Sequence, residues 1–280
     1  DLESGKQLWE VEGYSLWNLE QSDGVLVGFR STFPPIEERR DNTEWWPITS
    51  MVGLDAASGE PLWEHAFADT IESRVWTYQY AITDNQVVTL DTDGKMTALD
   101  LQTGAENWFT AVDLGSGHET ELFTNESEDP VQVTIHDAAI ASWNGDVAMV
   151  NGDGLVQLID GNTGEITATH TIGGSPTGPL QLQVLPQGLL LTRFEDGYHL
   201  TAFNPESGDI FWDREIEGDI RAEVAENGMI AVNSHVWESG NFIMRLLGRG
   251  GHATFQFLWI DGATGEHVMT TERGRVDNPV

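Results

Sequence analysis

The chain has no cysteine in its 280 residues, which excludes disulfides, thiolate metal sites and cysteine nucleophiles. Lysine is nearly absent too: of 13 cationic residues only Lys6 and Lys95 are lysines, and the rest are arginines. Against them stand 46 Asp and Glu, for a formal net charge of −33. Such a field repels a nucleic-acid backbone or an anionic membrane surface. No apolar run approaches the roughly 20 residues that cross a bilayer as a helix. A surface rich in carboxylate and poor in lysine suits concentrated salt, where screening removes self-repulsion. It equally suits a GC-rich genome, which encodes Arg in preference to Lys, and the sequence leaves both origins open.

What is present argues for a folded body. Hydrophobic residues make up 39% and there are 11 tryptophans, too many for a disordered acidic chain. A short signature recurs six times: Asp1-Leu-Glu-Ser-Gly5, Asp55-Ala-Ala-Ser-Gly59, Asp100-Leu-Gln-Thr-Gly104, Asp160-Gly-Asn-Thr-Gly164, Asn204-Pro-Glu-Ser-Gly208 and Asp261-Gly-Ala-Thr-Gly265. Four residues after the glycine stand Trp9, Trp63, Trp108 and Trp212, with Ala168 and Met269 as the departures. The glycines lie 54, 45, 60, 44 and 57 residues apart, the spacing of a repeated supersecondary unit.

Each copy reads as a tight connection between two strands. Lys95-Met-Thr-Ala-Leu99 and Leu155-Val-Gln-Leu-Ile159 precede it with strand-like patterning. The Asp carboxylate and the Ser or Thr hydroxyl can accept the following backbone N–H groups, and the glycine supplies positive φ. Upstream, Asp91-Thr-Asp-Gly94, Asn151-Gly-Asp-Gly154 and Glu195-Asp-Gly197 read as hairpin tips. The unit is therefore a four-stranded antiparallel meander, the size of a propeller blade, with the Trp row between neighbouring blades.

The pattern apolar-Asp-x-x-Thr/Ser-Gly-x-x-x-Trp, best seen in Asp93-Gly-Lys-Met-Thr-Ala-Leu-Asp100 with Thr103-Gly104 and Trp108, resembles the repeat of the pyrroloquinoline-quinone (PQQ)-like propellers. The resemblance covers essentially the whole chain. It implies an all-β propeller with five complete blades, ending near residues 66, 111, 170, 216 and 272. Residues 1–12 would be the outer strand of a preceding blade, with 1–280 a single propeller domain cut from a longer chain, or else that strand adds to another blade as a closing strap. The family holds quinone-dependent dehydrogenases and also cofactor-free scaffolds, among them the lipoprotein of the outer-membrane β-barrel assembly machinery.

For the dehydrogenases the resemblance implies Ca²⁺ held by Glu and Asn, an Asp base and a Trp stacked on the quinone, but no segment here carries that motif over. Asp91-Thr-Asp93-Gly94 opens like a calcium loop, yet the twelfth position is Gln102 and not Glu. His118 with Glu119 and Glu121, and His136 with Asp137, could contribute metal ligands, but the eight histidines form no His-x-x-x-His pair and read as surface or strand residues. No Gly-x-Ser-x-Gly elbow occurs. Asn125-Glu-Ser127 is a lone glycosylation sequon.

The irregular spacings draw more attention. Arg39, Arg40, Trp45 and Trp46 lie in an insertion within the 54-residue spacing, and Leu122 and Phe123 in Asp113–Pro130 within the 60-residue one. Trp237, Arg245 and Arg249 lie within the 57-residue spacing. Long excursions from a regular scaffold are where specificity is usually placed, or they are tolerated insertions. The expected structural set is Asp55, Gly59, Trp63, Asp100, Gly104, Trp108, Asp160, Gly164, Gly208, Trp212, Asp261 and Gly265. The sequence is thus expected to be a non-catalytic scaffold, extracytoplasmic (cell envelope or secreted), that needs neither PQQ nor Ca²⁺. It would bind protein or peptide through loops on one propeller face, tethered to a membrane, if at all, by a segment outside this chain. The alternative is a quinone- or metal-dependent enzyme with its site in the central funnel.

Overall fold

The computed structural model describes residues 7, 9–10, 14–32, 48–67, 79–91, 93–122, 131–174, 178, 180–238, 249–271 and 274–279, and every regular element among them is a β-strand. Five antiparallel meanders follow in chain order. Blade 1 is β1 (Tyr14–Ser22), β2 (Val25–Thr32), β3 (Ile48–Asp55) and β4 (Pro61–Ala66). Blade 2 is β5 (Gln79–Ile82), β6 (Gln86–Leu90), β7 (Lys95–Asp100) and β8 (Glu106–Ala111). A separate hairpin, β9 (His118–Leu122) with β10 (Val131–Ile135), precedes blade 3, which is β11 (Ala138–Trp143), β12 (Asp146–Asn151), β13 (Leu155–Ile159) and β14 (Ile166–Thr171). Blade 4 is β15 (Gln181–Leu185), β16 (Gly188–Phe194), β17 (Tyr198–Phe203) and β18 (Ile210–Ile216). Blade 5 is β19 (Asp219–Val224), β20 (Met229–Glu238), β21 (Arg249–Asp261) and β22 (His267–Thr270), with a fifth strand, β23 (Gly274–Pro279), on β21.

The chain groups into two compact units, 1–112 with 161–164, and 113–160 with 165–280. In the first, one face of blade 1 (Val25, Val27, Phe29, Met51, Trp63) packs on Val87, Leu99 and Leu101 of blade 2. In the second, Ala148, Val150 and Leu158 of blade 3 pack with Leu189, Leu191 and Phe203 of blade 4. The opposite face of blade 4 (Leu190, Leu200, Ala202) meets Ala222, Ile230, Val232 and Ile260 of blade 5. Alternate residues of each strand thus serve different cores, as the two-residue period requires. Each fully buried aliphatic side chain contributes about 1.5–3 kcal/mol.

The signature turn is built as its residue types dictate. Asp55 Oδ1 accepts from Ala57 N (3.1 Å), Ser58 N (2.7 Å) and Ser58 Oγ (2.8 Å). Asp100 repeats this with Gln102 and Thr103, and Asp261 accepts from the amides of Ala263 and Thr264. The hydroxyl bond from Ser58, then its amide, hold the Asp55 carboxyl below the ordinary carboxylate range, and Thr103 does the same for Asp100.

The glycine has two reasons to be there. Gly104 sits at φ +67°, a left-handed conformation that costs an L residue strain. A Cβ on it would also lie 2.7 Å from Cγ of Trp63, because the Trp ring of one blade lies flat on the signature glycine of the next. Gly59 lies under Trp9, Gly164 under Trp108 and Gly265 under Trp212 in the same way. The indole N–H then donates to a carbonyl of that turn: Trp9 to Ala56 (3.1 Å), Trp63 to Leu101 (2.8 Å), Trp108 to Gly161 (2.9 Å) and Trp212 to Gly262 (2.8 Å). Each of these indoles, buried at Trp63 and Trp108 and partly buried at Trp9 and Trp212, therefore satisfies its one polar group.

Blade 3, where Ala168 replaces the Trp, solves the problem two residues later. His170 lies over Gly208, and its Nε2 donates to the Glu206 carbonyl at 2.7 Å. The residue opposite the Trp compensates in volume. Trp63, Trp108 and Trp212 face Gly53, Ala98 and Ala202 across the sheet. Ala168 faces Leu158, and Met269 faces Trp259. Bulk lost from the fourth strand reappears on the third.

Candidate functional site

In every blade the connection from first to second strand, and from third to fourth, is a tight turn, the longest being 160–165 and 204–209. The five described signature turns, from Asp55, Asp100, Asp160, Asn204 and Asp261, belong to this end. Strand direction alternates, so the connection from second to third strand, and the link to the next blade, leave by the other end. Every long insertion does so. Residues 33–47 join β2 to β3, 112–137 join β8 to β11 around the β9–β10 hairpin, and 239–248 join β20 to β21. Each blade thus has a turn end and an insertion end.

Of the residues singled out from the sequence for partner binding, Arg39, Arg40, Trp45, Trp46, Phe123 and Arg245 lie outside the described residues. Leu122 closes β9, opposite Val131. Trp237 and Arg249 are in strands, opposite Ala253 and Pro279. The 57-residue spacing is therefore only partly a loop. Residues 235–238 and 249–255 prolong β20 and β21 instead, because Val236, Trp237, Thr254 and Phe255 favour extended backbone. Part of Asp113–Pro130 is likewise strand, with Glu119 opposite Thr134 and Glu121 opposite Gln132 in the register.

The root of the β9–β10 hairpin is fixed to blade 3. Asp113 N donates to Gln157 Oε1 (3.0 Å), and Asn151 Nδ2 donates to the Asp113 carbonyl (2.9 Å). Ser116 donates its N–H (2.9 Å) and its hydroxyl (3.0 Å) to Asp153 Oδ2. The Asn151-Gly-Asp-Gly154 tip thus does more than turn the chain: its Asn151 and Asp153 side chains anchor the insertion.

A second polar cluster holds the link between blades 3 and 4. Arg193, only 7% exposed, donates to the Gly173 carbonyl (2.9 Å) and to Asp213 Oδ2 (2.9 Å), and pairs with Glu195 at 3.2 Å. His199 Nδ1 lies 3.0 Å from Asp213 Oδ1, and Thr201 donates its hydroxyl to the same carboxylate. Burial pushes the Asp213 carboxyl up, but the bonds from Thr201 and His199 and the charge of Arg193 outweigh it and leave it lowered. Apart from a lone Arg at the end of an apolar strand, nothing in the residue pattern signals this cluster.

No three His, Asp or Glu side chains among the described residues converge as a metal site, and Asp91 instead accepts from Asp93 N and Lys95 N within its hairpin tip. Glu20 on β1 is raised by burial, but no second carboxylate is brought to it among the described contacts.

A family model described as outer membrane protein assembly factor BamB matches residues 1–181. The chain belongs to this family of PQQ-repeat propellers. No curated protein matches. Among solved structures, a computationally designed protein, Ika8, is similar with a TM-score of 0.55 at 16% identity, over 96% of this chain and 65% of that one. BamB from Moraxella catarrhalis gives 0.48 at 15% identity, over 91% and 75% of the two chains. A quinohemoprotein alcohol dehydrogenase from Pseudomonas putida HK5 gives 0.49 at 10% identity, over 90% and 52%. At 16% identity the likeness to the designed protein speaks for the fold alone. The BamB-type family suggests a protein-binding scaffold, while PQQ-type propellers also include enzymes.

Proposed function

We propose that the chain is a non-catalytic, extracytoplasmic scaffold that binds protein or peptide partners through the insertion ends of its blades. The observation that carries this reading is the segregation of connections. The ten turns stay short, while the long connections 33–47, 67–78, 112–137 and 239–248 all leave by the opposite end. The insertion described in most detail is anchored by at least four side-chain hydrogen bonds, as suits a presented surface. Docking needs no acid–base pair and no cofactor.

The competing reading is a quinone- or metal-dependent enzyme with its site in the funnel. Calorimetric titration of the purified chain with Ca²⁺ and PQQ separates the two. The scaffold reading expects no saturable heat from either. Stoichiometric quinone binding tighter than about 10 μM would overturn it.

A further inference from the structure

The β9–β10 hairpin differs from the blades in its pairing. Its two five-residue strands pair with each other and with no further described strand, whereas every blade has at least four. A two-stranded ribbon is marginal in water by itself and gains stability from a third strand. Here the root is held from outside. Asp113 and Ser116 are bonded to blade 3, and His136 Nδ1 lies 3.1 Å from the Gly115 carbonyl oxygen. Glu119 and Thr134, opposite each other in the register, are both exposed. The hairpin is thus fixed in place with strand edges that no described strand covers, and such an edge templates a further strand.

Charge selects what adds. None of the 13 cationic residues lies between Lys95 and Arg193. The connection 112–137 has seven Asp and Glu and no Lys or Arg. Two of the seven, Glu119 and Glu121, stand two residues apart in β9, while β10 (Val-Gln-Val-Thr-Ile) has no charged residue. A strand laid beside β9 comes within about 5 Å of it, and one beside β10 lies about twice as far from the β9 carboxylates. The β9 edge is therefore the one that favours a cationic occupant. It disfavours a second copy of this chain, because two β9 edges would bring like charges together.

We propose that the β9 edge takes up an extended, cationic segment of a partner protein as a third strand, with Lys or Arg at alternate positions beside Glu119 and Glu121. This deepens the scaffold reading and rests on it. Main-chain hydrogen bonds supply the affinity, and the carboxylates choose the sequence. Alternate residues of an edge strand turn their backbone groups outward, so β9 offers about two or three N–H and C=O pairs to the added strand.

Fluorescence anisotropy of the full chain with a labelled peptide that alternates Lys with Val and Thr tests this. Saturable binding is expected. N-methylation of alternate peptide residues keeps the charge and removes the donors along one edge, and should weaken binding at least about thirtyfold. Glu119→Lys with Glu121→Lys should weaken it about tenfold. Glu106→Lys with Glu165→Lys makes the same change of net charge at exposed sites outside the hairpin, and should weaken it less than about twofold. Thermal unfolding followed by circular dichroism checks that both variants keep the blades. No saturable binding, equal binding of the N-methylated peptide, or equal losses from the two double substitutions would overturn the proposal. So would a dimer of the chain that the peptide dissociates. Discrete protein adducts from a crosslinker at Thr134 would leave the scaffold reading standing after any of these, so the two fail separately.

Discussion

Replacing Gly104 and Gly24 separately by alanine isolates the contribution of the Trp-on-glycine joint. Both glycines belong to the first unit and have positive φ, +67° and +77°. A Cβ at Gly24 would meet nothing within 4 Å, whereas one at Gly104 would lie 2.7–2.8 Å from three atoms of Trp63. Gly24→Ala therefore costs backbone strain alone, about 1–2 kcal/mol. Gly104→Ala adds overpacking of about 1–3 kcal/mol. Lifting the ring also breaks the 2.8 Å bond from Trp63 Nε1 to Leu101, for about 1 kcal/mol more. The expected totals are about 1–2 and 3–6 kcal/mol. Urea denaturation followed by tryptophan fluorescence and by far-ultraviolet circular dichroism reads both, and coincident transitions would license the comparison. Equal losses for the two variants would refute the reasoning, because they would show that the glycine is required for its φ alone.

Three further outcomes follow from the same geometry. Ala168→Trp should destabilise by about 1–3 kcal/mol because Leu158 stands opposite it, and Leu158→Ala should rescue part of that loss, a coupling that a double-mutant cycle measures directly. Arg193→Met leaves Asp213 and Glu195 without their buried cation and should cost about 3–5 kcal/mol in a melt at neutral pH, less if solvent reaches the partly exposed carboxylates. Asp55 and Asp100 have lowered folded pKa values. Their contribution is present above the unfolded value of about 3.9 and is lost as pH falls through the folded ones, so Asp55→Asn with Asp100→Asn should flatten acid unfolding below about pH 4.

The sequence shows its fold where chemistry and position coincide. Asp55 to Trp63 declares a turn, a left-handed glycine and a packing plate within nine positions, and the same grammar is legible six times. The second duty of the glycine, to lie beneath the preceding Trp, was not legible, because the ring comes from a residue tens of positions away. His170 escaped for a related reason: it acts on the same face as Ala168 but two residues later, a substitution that only the alternation of side chains along β14 could have suggested. The enlarged partners Leu158 and Trp259 are visible only once the cross-strand register is known. The insertions were legible as irregular spacings. Their common exit from the blades was not, since it depends on counting strand directions through five meanders. The strands inside them, β9, β10 and the ends of β20 and β21, were obscured by glycine and acidic residues that read as loop.

The central claim is that partners meet the insertion ends of the blades and not the turn ends. A photo-crosslinking amino acid placed at Thr134, exposed on β10, and separately at Gln102, exposed in a signature turn, tests it in the host cell envelope. The account predicts discrete protein adducts from Thr134 and none from Gln102. Adducts from Gln102 with none from Thr134 would contradict it.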